Sequence, residues 1–512
     1  MHYNDWLAKR ERYTPDHEAV VDLSDNGRFT YRELNKRANS LAGLLQSKFS
    51  LKPGDRLAVL SKNCLEMIDL FFACGKIGVI LVPYNFRLPA PAISELAEDC
   101  TPSLLVYGKE FKETAETLLN NKTVPALLPI SGKKGAVKKI VHEDHPAPDL
   151  YNADAEDIAM ILYTSGTTGK SKGAMISWRQ IHWNSINTAI SLELTSDDST
   201  IVNTPFYHTG GWHVLLTPLF HHGGKVVLQP EFDPADCLNI IQTENISIFF
   251  GIPTMLRMMM EQEQFELTDF SNLRFTICGG EACPIPVIKK YRDHGVPIRQ
   301  GYGLTEAGPN CYSLPAEDAI RKQGSVGFPN YHIDVRVVDE NGDDVLAGSV
   351  GELLMKGPHA FSGYWTNDEA TRKTLQDGWV RTGDLFRCDD EGYYYIAGRK
   401  KEMYISGGEN VYPVQIEKVI YEHPDVTQAA VIGVPDEQWG ETGCAFVVLR
   451  DEAEIDESGL KAYCKKFLAS FQCPGHIFFV DDLPLGHSGK VQKKVLPELY
   501  RKKIKRAGGD GN

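Results

Sequence analysis

Apolar and polar positions near the start of the chain first follow a helical period and then the pattern of a buried strand. The segment 29–48 has Thr30 followed three residues later by Glu33, which is a capping box ahead of apolar residues at helical spacing. The segment 56–61, RLAVLS, predicts a strand. The most apolar run, 70–86, is too short to cross a bilayer and predicts a buried helix followed by a buried strand.

Short β-rich runs and helical stretches alternate through the middle of the chain. The runs 225–229, 246–253 and 274–280 are rich in β-branched and aromatic residues and stop at glycine or proline. Between them, the segment 233–245 has a helical pattern. Buried strands that alternate with helices predict an α/β fold with mostly parallel sheets.

Two later segments depart from this pattern. Residues 333–345 place two alternating runs around an Asn-Gly turn, which predicts a hairpin and a β-rich subdomain. From about residue 399 the chain is polar and punctuated by glycine, then helical, then strand-forming again. We therefore expect an α/β protein with a large N-terminal domain of α/β sheets plus a β-rich subdomain over 1–398. A small C-terminal α+β domain follows over 399–512.

Composition and charge limit the function classes. Of the 512 residues, 42% are hydrophobic and 24% are charged, which is typical of a globular protein. The formal net charge of −14 argues against a nucleic-acid partner, so a polyanion site must gather its own lysines and arginines. The first sixteen residues lack the apolar core of a secretory signal, and we expect a cytoplasmic protein. The basic end, 500–512, is expected to be a solvated, frayed terminus and not a membrane anchor.

Cysteine and histidine spacing does not predict a metal site. The eleven cysteines are scattered, and the pair Cys278 and Cys283 has no two further ligands nearby, so reduced thiols are expected. The histidines within 208–222 have no cysteine or carboxylate at a recognisable offset. We rank a structural role for them above metal binding.

The segment Tyr163–Gly173, YTSGTTGKSKG, concentrates hydroxyls, glycines and lysines that suit a phosphate group. Its Gly-Lys-Ser is similar to the end of a Walker A loop, but that motif requires glycine five positions before Gly169, where this chain has Thr164. Walker A also runs from a strand into a helix, whereas both flanks here, IAMILY and GAMISW, have strand character. We expect the segment to join a strand pair, which rejects a P-loop hydrolase.

Five motifs in order carry a family resemblance. The phosphate-binding segment resembles the phosphate loop of the adenylate-forming superfamily of acyl-CoA synthetases, luciferases and peptide-synthetase adenylation domains, with Ser171 where that family usually has proline. The adenine and magnesium, ribose, hinge and catalytic-lysine motifs of the family are similar to 300–308, 377–385, 398–413 and 486–494. The resemblance covers nearly the whole chain and is strongest to bacterial fatty-acyl-CoA synthetases. It implies a large N-terminal domain and a small C-terminal domain that moves as a lid.

The resemblance implies residues that bind MgATP. The phosphates would be held by Thr164, Ser165, Gly166, Thr167, Thr168, Gly169, Lys170 and Lys172. The rest of the nucleotide would lie against Gly280, Glu281, Ala282, Gly301, Tyr302, Gly303 and Thr305. Tyr302 would offer its aromatic face to adenine, and Glu306 would be the hard oxygen ligand that Mg²⁺ prefers. Asp384 would accept hydrogen bonds from the ribose hydroxyls, with Arg399 as a second contact.

The implied catalytic residue of the first step is Lys490. Its ammonium would stabilise the charge that grows on the carboxylate oxygen and the α-phosphate in the transition state. The chain has Ser488 where the family usually has threonine, and Lys493 and Lys494 follow, so an ordinary lysine-rich surface stays open as an alternative. The rest of the implied catalytic set is Thr305, Glu306 and His208.

The hinge motif implies how one site performs two half-reactions. Lys401 lies two residues after Arg399, where the family has its hinge. Rotation about it would remove Lys490 after adenylation and bring the segment containing Ser406, Gly407 and Gly408 to the coenzyme A arm.

The segment 204–224 resembles the acyl-pocket segment of the family. The implied pocket residues are Phe206, His208, Trp212, Gly279 and Gly303. Amino-acid-activating members have an aspartate where this chain has His208, so an amino-acid substrate is not expected. The aromatic and aliphatic neighbours indicate an apolar acid. His208 is either a gate at the acyl site or a buried structural histidine.

We therefore predict an ATP-dependent acyl-CoA synthetase that activates a fatty acid of medium to long chain with ATP, Mg²⁺ and coenzyme A. Its expected partners are these small molecules. Three alternatives stay open: an aryl- or branched-acid CoA ligase, a ligase that passes the acyl group to a carrier protein, and a non-catalytic acyl or nucleotide sensor.

Overall fold

The computed structural model describes residues 3–132, 135–164, 171–281, 283–450, 453–485 and 491–509. Eight predicted site residues lie outside these ranges: Ser165, Gly166, Thr167, Thr168, Gly169, Lys170, Ala282 and Lys490. The chain forms two compact units. Unit 1 comprises Met1–Val335 and Leu354–Arg381, and unit 2 comprises Arg336–Leu353 and Thr382–Asn512. The predicted domain limits, 1–398 and 399–512, stay a prediction.

Helices and strands alternate through most of the described chain. The α-helices are α1 Trp6–Tyr13, α2 Tyr31–Phe49, α3 Leu65–Ile77, α4 Ala90–Cys100, α5 Lys112–Asn120, α6 Val137–Ile140, α7 Trp178–Leu192, α8 Thr209–His213, α9 Leu216–His222, α10 Pro234–Thr243, α11 Pro253–Met260, α12 Ile285–Asp293, α13 Asp368–Thr374, α14 Pro413–Tyr421, α15 Glu457–Cys464 and α16 Leu496–Gly509. The strands are β1 Glu18–Asp22, β2 Gly27–Thr30, β3 Arg56–Leu60, β4 Ile80–Pro83, β5 Leu104–Tyr107, β6 Leu127–Pro129, β7 Ile158–Thr164, β8 Lys172–Ser177, β9 Ser199–Val202, β10 Lys225–Leu228, β11 Ile248–Gly251, β12 Phe275–Cys278, β13 Ile298–Leu304, β14 Gly308–Ser313, β15 Ser325–Pro329, β16 Asp334–Val338, β17 Gly351–Lys356, β18 Leu375–Gln376, β19 Trp379–Cys388, β20 Tyr394–Arg399, β21 Tyr404–Ser406, β22 Glu409–Val411, β23 Val426–Asp436, β24 Gly440–Leu449 and β25 His476–Phe479.

Unit 1 contains three sets of paired strands with helices between them. One sheet has the order β2-β1-β10-β9 and another the order β6-β5-β3-β4-β7-β8, with mostly parallel neighbours. In the third set, β11, β12 and β13 run parallel, and β14 and β15 continue antiparallel. The predicted α/β class with mostly parallel sheets is therefore confirmed.

Local sequence signals explain the first elements of unit 1. The Thr30 side chain accepts a hydrogen bond from the Glu33 backbone, and the Glu33 side chain accepts one from the Thr30 backbone, as the capping box predicts. Helix α2 then buries its apolar face. The apolar run 70–86 forms the end of α3 and all of β4, where every residue is buried except Gly78 and the last two positions of the run. Both predictions are confirmed.

Unit 2 contains a second, separate core. Strands β22, β21, β24 and β23 pair in this order, β25 pairs with β24, and α14 and α15 contribute to the same apolar cluster. The cluster includes Tyr404, Ile416, Val431 and Val447, all at most 3% exposed. Earlier strands of this unit pair in the order β20-β19-β17-β16. The predicted α+β character of the C-terminal part is confirmed.

Two local predictions need correction. In 333–345 the first arm is β16, but the second arm makes a single bridge, Val338 with Asp344, and forms no regular strand. The sequence predicts a frayed basic end, but α16 runs from Leu496 to Gly509, and Leu496 at its start is buried in the unit 2 core. Within the described ranges, no helix combines the length and the apolarity needed to cross a membrane.

Candidate active site

The ends of β7 and β8 bring together the described borders of the phosphate-binding segment. The two strands are antiparallel with Thr164 opposite Lys172, and the Thr164 hydroxyl donates to the Lys172 carbonyl oxygen at 3.4 Å. The predicted strand pair is therefore confirmed, and the strand-to-helix geometry of a Walker A loop is excluded. The six residues between these borders lie outside the described chain, and their phosphate contacts stay a prediction.

A cation, a phenol and a carboxylate meet beside this border. The Lys172 Nζ lies 5.0 Å from the centre of the Tyr364 ring, and the Tyr364 hydroxyl donates to Glu306 Oε1 at 2.7 Å. Burial and the nearby Glu306 charge raise the pKa of Tyr364, so the phenol keeps its proton and acts as a donor. The sequence predicted Lys172 and Glu306 but missed Tyr364, for which the run FSGYW was the available signal.

The carboxylate of Glu306 fits the predicted magnesium role. Carboxylate oxygen is the ligand type that Mg²⁺ prefers, and a donor that fixes one oxygen orients the other. Glu306 lies in the short 3₁₀ turn between β13 and β14, and its carbonyl oxygen accepts a bond from Phe361 N at 2.9 Å. The carbonyl oxygen of the adjacent Thr305 accepts a bond from the Gln180 side chain at 3.0 Å.

The glycines of the adenine motif allow close approach of two backbones. A Cβ on Gly303 would lie 2.2 Å from the backbone of Pro309, so this position requires glycine. Tyr302 is only 8% exposed, and its ring meets Tyr312 edge to face at 5.9 Å. Contact of Tyr302 with adenine, and the roles of Gly301 and Thr305, stay predictions.

Two glycines lie beside the Phe250 ring near the ends of β11 and β12. Ideal Cβ atoms on Gly210 and Gly279 would lie 3.6 and 3.3 Å from the Phe250 ring. Phe250 is half-buried, and neither glycine places a side chain against its ring. The adjacent Gly280 has a φ of +86°, which favours glycine, and Glu281 is exposed. Phe250 was missed because its run predicts a strand and nothing in it signals a ligand.

The predicted acyl-pocket aromatics are mainly part of the core. Phe206 and Trp212 are 1% and 0% exposed, and their rings stack at 4.4 Å. The Asn63 side chain accepts a bond from Phe206 N at 2.9 Å and fixes the start of this segment. His208 is half-buried and lies 4.5 Å from the Tyr207 ring. Substrate contact by Phe206, His208 and Trp212 stays a prediction.

In unit 2 the two predicted ribose residues are paired across neighbouring strands. Asp384 in β19 stands opposite Arg399 in β20, and Arg399 Nε lies 2.8 Å from Asp384 Oδ1. The Asp384 side chain is 5% exposed and that of Arg399 is 57% exposed. A buried carboxylate paired with an exposed guanidinium can accept two hydroxyl donors, so the pair fits a diol.

The hinge motif forms a turn followed by a tight hairpin. Lys401 is exposed in the turn after β20. Gly407 and Gly408, with φ of +61° and +85°, connect β21 to β22. Ser406 is 1% exposed. The hinge and coenzyme A roles of these residues stay predictions.

Among the described residues, no group of three or more His, Cys, Asp or Glu side chains could hold a metal ion.

Comparison with known proteins identifies the family. The AMP-binding enzyme family matches residues 7–365, and the AMP-binding enzyme C-terminal domain matches 415–490. A feruloyl-CoA synthase of Amycolatopsis sp. is 37% identical over 95% of this chain and 97% of its own length. The long-chain-fatty-acid–CoA ligase FadD13 of Mycobacterium tuberculosis is 34% identical over 96% of this chain and 97% of its own.

A solved structure agrees with these relatives. The crystal structure of ATP-bound MatB from Rhodopseudomonas palustris has a TM-score of 0.90 and 31% identity, covering 98% of this chain and 99% of MatB. The small-molecule partners of the chain are a carboxylic acid, ATP with Mg²⁺, and coenzyme A. Its activity is that of an AMP-forming acid–CoA ligase. The chain therefore belongs to the AMP-binding enzyme family, among the acyl-CoA synthetases of the adenylate-forming superfamily.

Proposed function

We propose that this acid–CoA ligase activates an apolar carboxylic acid in two half-reactions. In the first, an acid oxygen attacks the α-phosphate of ATP, a new O–P bond forms, and the bond to pyrophosphate breaks. In the second, the coenzyme A thiolate attacks the acyl carbon, a C–S bond forms, and AMP leaves. The observation that carries the proposal is the meeting of Lys172, Tyr364 and Glu306 at the border of the glycine-rich segment.

The residues of unit 1 are proposed to hold the triphosphate. Thr164 and Lys172 supply a hydroxyl and a positive charge at the described border, and the residues from Ser165 to Lys170 supply more of both. Glu306, oriented by Tyr364, is the proposed Mg²⁺ ligand. When bound, Mg²⁺ neutralises charge on the phosphate oxygens.

The residues of unit 2 are proposed to hold the ribose and to accelerate adenylation. Asp384 accepts the ribose hydroxyls while Arg399 orients its carboxylate. Lys490 stabilises charge that is larger in the transition state than in the bound substrates, so it raises the rate of the chemical step. We propose that Lys401 is the hinge between the two half-reactions, and that Ser406, Gly407 and Gly408 serve the second.

The class of acid is the finer part of the proposal. The apolar surroundings of 204–224 support a fatty acid, as the sequence predicts. A second candidate is an aryl acid, because Gly210 and Gly279 place no side chain against the Phe250 ring, on which a planar group can stack. A feruloyl-CoA synthase and a fatty-acid–CoA ligase are both among the relatives, so the family does not choose between the two.

The deciding experiment is acid-dependent ATP–pyrophosphate exchange with medium-chain, long-chain, branched, cinnamic and arylacetic acids. Highest kcat/KM with a fatty acid supports the first candidate, and highest kcat/KM with a cinnamic or arylacetic acid replaces it with the second. Exchange without any coenzyme A thioester would indicate transfer to a carrier protein. No exchange with any acid would favour a sensor and overturn the proposal.

A further inference from the structure

Lys493, a lysine that is not in the proposed catalytic set, is paired with two carboxylates in unit 2. Lys493 Nζ lies 2.9 Å from Glu402 Oε2 and 2.8 Å from Glu417 Oε1. The Lys493 side chain is only 18% exposed, and a lysine this far buried is normally paired with a carboxylate. Burial alone would lower the pKa of Lys493, but the two carboxylates raise it above the ordinary lysine value.

Both carboxylates belong to fixed elements. Glu417 lies in α14, and its Oε1 also accepts a hydrogen bond from Val431 N in β23 at 2.7 Å. Glu402 lies in the turn after β20, where its backbone N donates to the Arg399 carbonyl oxygen at 3.0 Å. The Lys493 ammonium therefore links its own segment to a helix and to the hinge motif of the same unit.

The same segment is the flank of the one that contains Lys490. Leu485 and Val491 form an antiparallel bridge, and Gln492 N donates to the Pro484 carbonyl oxygen at 2.7 Å. The five residues 486–490 connect these paired flanks. Lys490 precedes Lys493 by only three positions. Contacts that fix Lys493 therefore limit the positions that Lys490 can reach.

We propose that Lys493 is a positioning residue for adenylation: with Glu402 and Glu417 it fixes the flank that carries Lys490. The inference rests on the proposed role of Lys490. The two ion pairs of Lys493 hold the flank in place, so a neutral side chain at position 493 releases it. The same change leaves two half-buried carboxylates near each other without a cation. Because Glu402 follows Lys401 directly, the same ion pairs connect the hinge motif to the catalytic-lysine motif.

The test compares Lys493→Met with Lys494→Met, a matched change at the exposed neighbouring lysine. Adenylation is measured by ATP–pyrophosphate exchange, and the second half-reaction by thioester formation from supplied acyl-AMP. We expect Lys493→Met to lower kcat of exchange on the order of 10²-fold, since small misplacement of a catalytic group has that effect. KM for ATP and thioester formation should stay unchanged, and Lys494→Met should leave both reactions unchanged.

Two further variants keep the test decisive if Lys493→Met does not fold. Lys493→Arg keeps the positive charge and should restore most of the exchange activity. Glu402→Gln removes one of the two carboxylates, the more exposed one, and should lower exchange less than Lys493→Met while sparing thioester formation. Equal loss of both half-reactions in these variants would show a merely structural role and overturn the inference.

Lys490→Ala serves as the reference for the proposed function. If Lys490→Ala keeps full exchange activity, the proposed role of Lys490 fails, and with it the basis of the inference. If Lys490→Ala loses exchange while Lys493→Met and Glu402→Gln retain it, the proposed function stands and the positioning role of Lys493 is wrong.

Discussion

The Tyr364 hydroxyl contacts the Glu306 carboxylate through one hydrogen bond. Removing this hydroxyl tests how much the orientation of the carboxylate matters while its charge is kept. In Tyr364→Phe the ring beside Lys172 remains, but Glu306 Oε1 loses its 2.7 Å donor. Partners that orient a metal-binding carboxylate typically contribute about 10- to 100-fold to metal affinity or activity. We expect ATP–pyrophosphate exchange to fall by about this factor and to need a higher Mg²⁺ concentration for half-maximal rate.

The matched control is Tyr13→Phe, which removes the same atom from a ring that is 79% exposed. It should leave the rate and the Mg²⁺ dependence unchanged. If Tyr364→Phe lowers the rate without changing its Mg²⁺ dependence, Glu306 does not act through the metal.

Residue contacts of this kind could not be predicted from the sequence. Tyr364 and Glu306 are 58 positions apart, and Lys493 and Glu402 are 91 positions apart. The motifs place Glu306 and Lys401 by local pattern, but neither the run around Tyr364 nor the lysines around Lys493 show by themselves which distant carboxylate they contact. Their roles follow from how strands and turns of each unit meet, which depends on packing over long sequence separations.

At the scale of the element, the capping box of α2 contributes stability that can be removed without touching the proposed active site. In Thr30→Ala the Glu33 backbone N–H loses its side-chain acceptor at the start of a nineteen-residue helix. Loss of such a cap typically costs about 1 kcal/mol. We expect a lower thermal midpoint for unit 1 by circular dichroism, with exchange activity unchanged below the transition.

The control for the cap is Thr243→Ala at the other end of a helix, α10. Its hydroxyl donates to the Asn239 carbonyl oxygen at 3.0 Å and so bonds back within the helix without capping its start. A similar loss of stability in both variants would mean that the cap is not the cause.

Elements with strong local signals were predicted, and those that depend on side-chain chemistry were not. The cap of α2 and the apolar run of α3 and β4 are local signals that suffice to predict these elements. The predicted second strand of the hairpin after β16 does not form. The Asp339 carboxylate accepts hydrogen bonds from Asn341 N and Asp343 N, so these backbone groups are paired without a second strand. The basic and glycine-rich end predicts fraying, because nothing in residues 500–512 indicates that Leu496 at the start of the same helix is buried in the core of unit 2.

At the scale of the whole molecule, the net charge of −14 constrains where an anionic ligand can bind. In an acidic chain, binding of anionic ATP and coenzyme A depends on positive side chains at the site itself, and Lys172 is the proposed one at the described border of the phosphate-binding segment. The family and its chemistry were therefore predictable from ordered motifs. The class of acid was not, because the aryl site proposed at Phe250, Gly210 and Gly279 combines three separate segments of the chain.

Acid stability is a property of unit 1 as a whole, because several of its buried histidines are held neutral. Burial lowers the pKa of His213 to about 3, and burial together with the Arg179 charge lowers that of His359 to about 4. Burial, with neighbouring histidines and Arg10, lowers the pKa of His221 to about 3. Since the unfolded chain binds these protons near pH 6.5, stability is complete above that pH and falls as the pH drops toward 4.

Each such histidine contributes a slope of up to about 1.4 kcal/mol per pH unit in that window. In the described chain both ring nitrogens of His359 lack a hydrogen-bond partner, so His359→Leu removes a titrating group without breaking a bond. We expect the thermal midpoint of His359→Leu to fall less steeply than that of the parent between pH 6.5 and 4, with little difference at pH 8. His17→Gln, at a half-buried histidine, is the control and should follow the parent curve. Parallel pH curves for His359→Leu and the parent would show that acid lability does not originate at this buried ring.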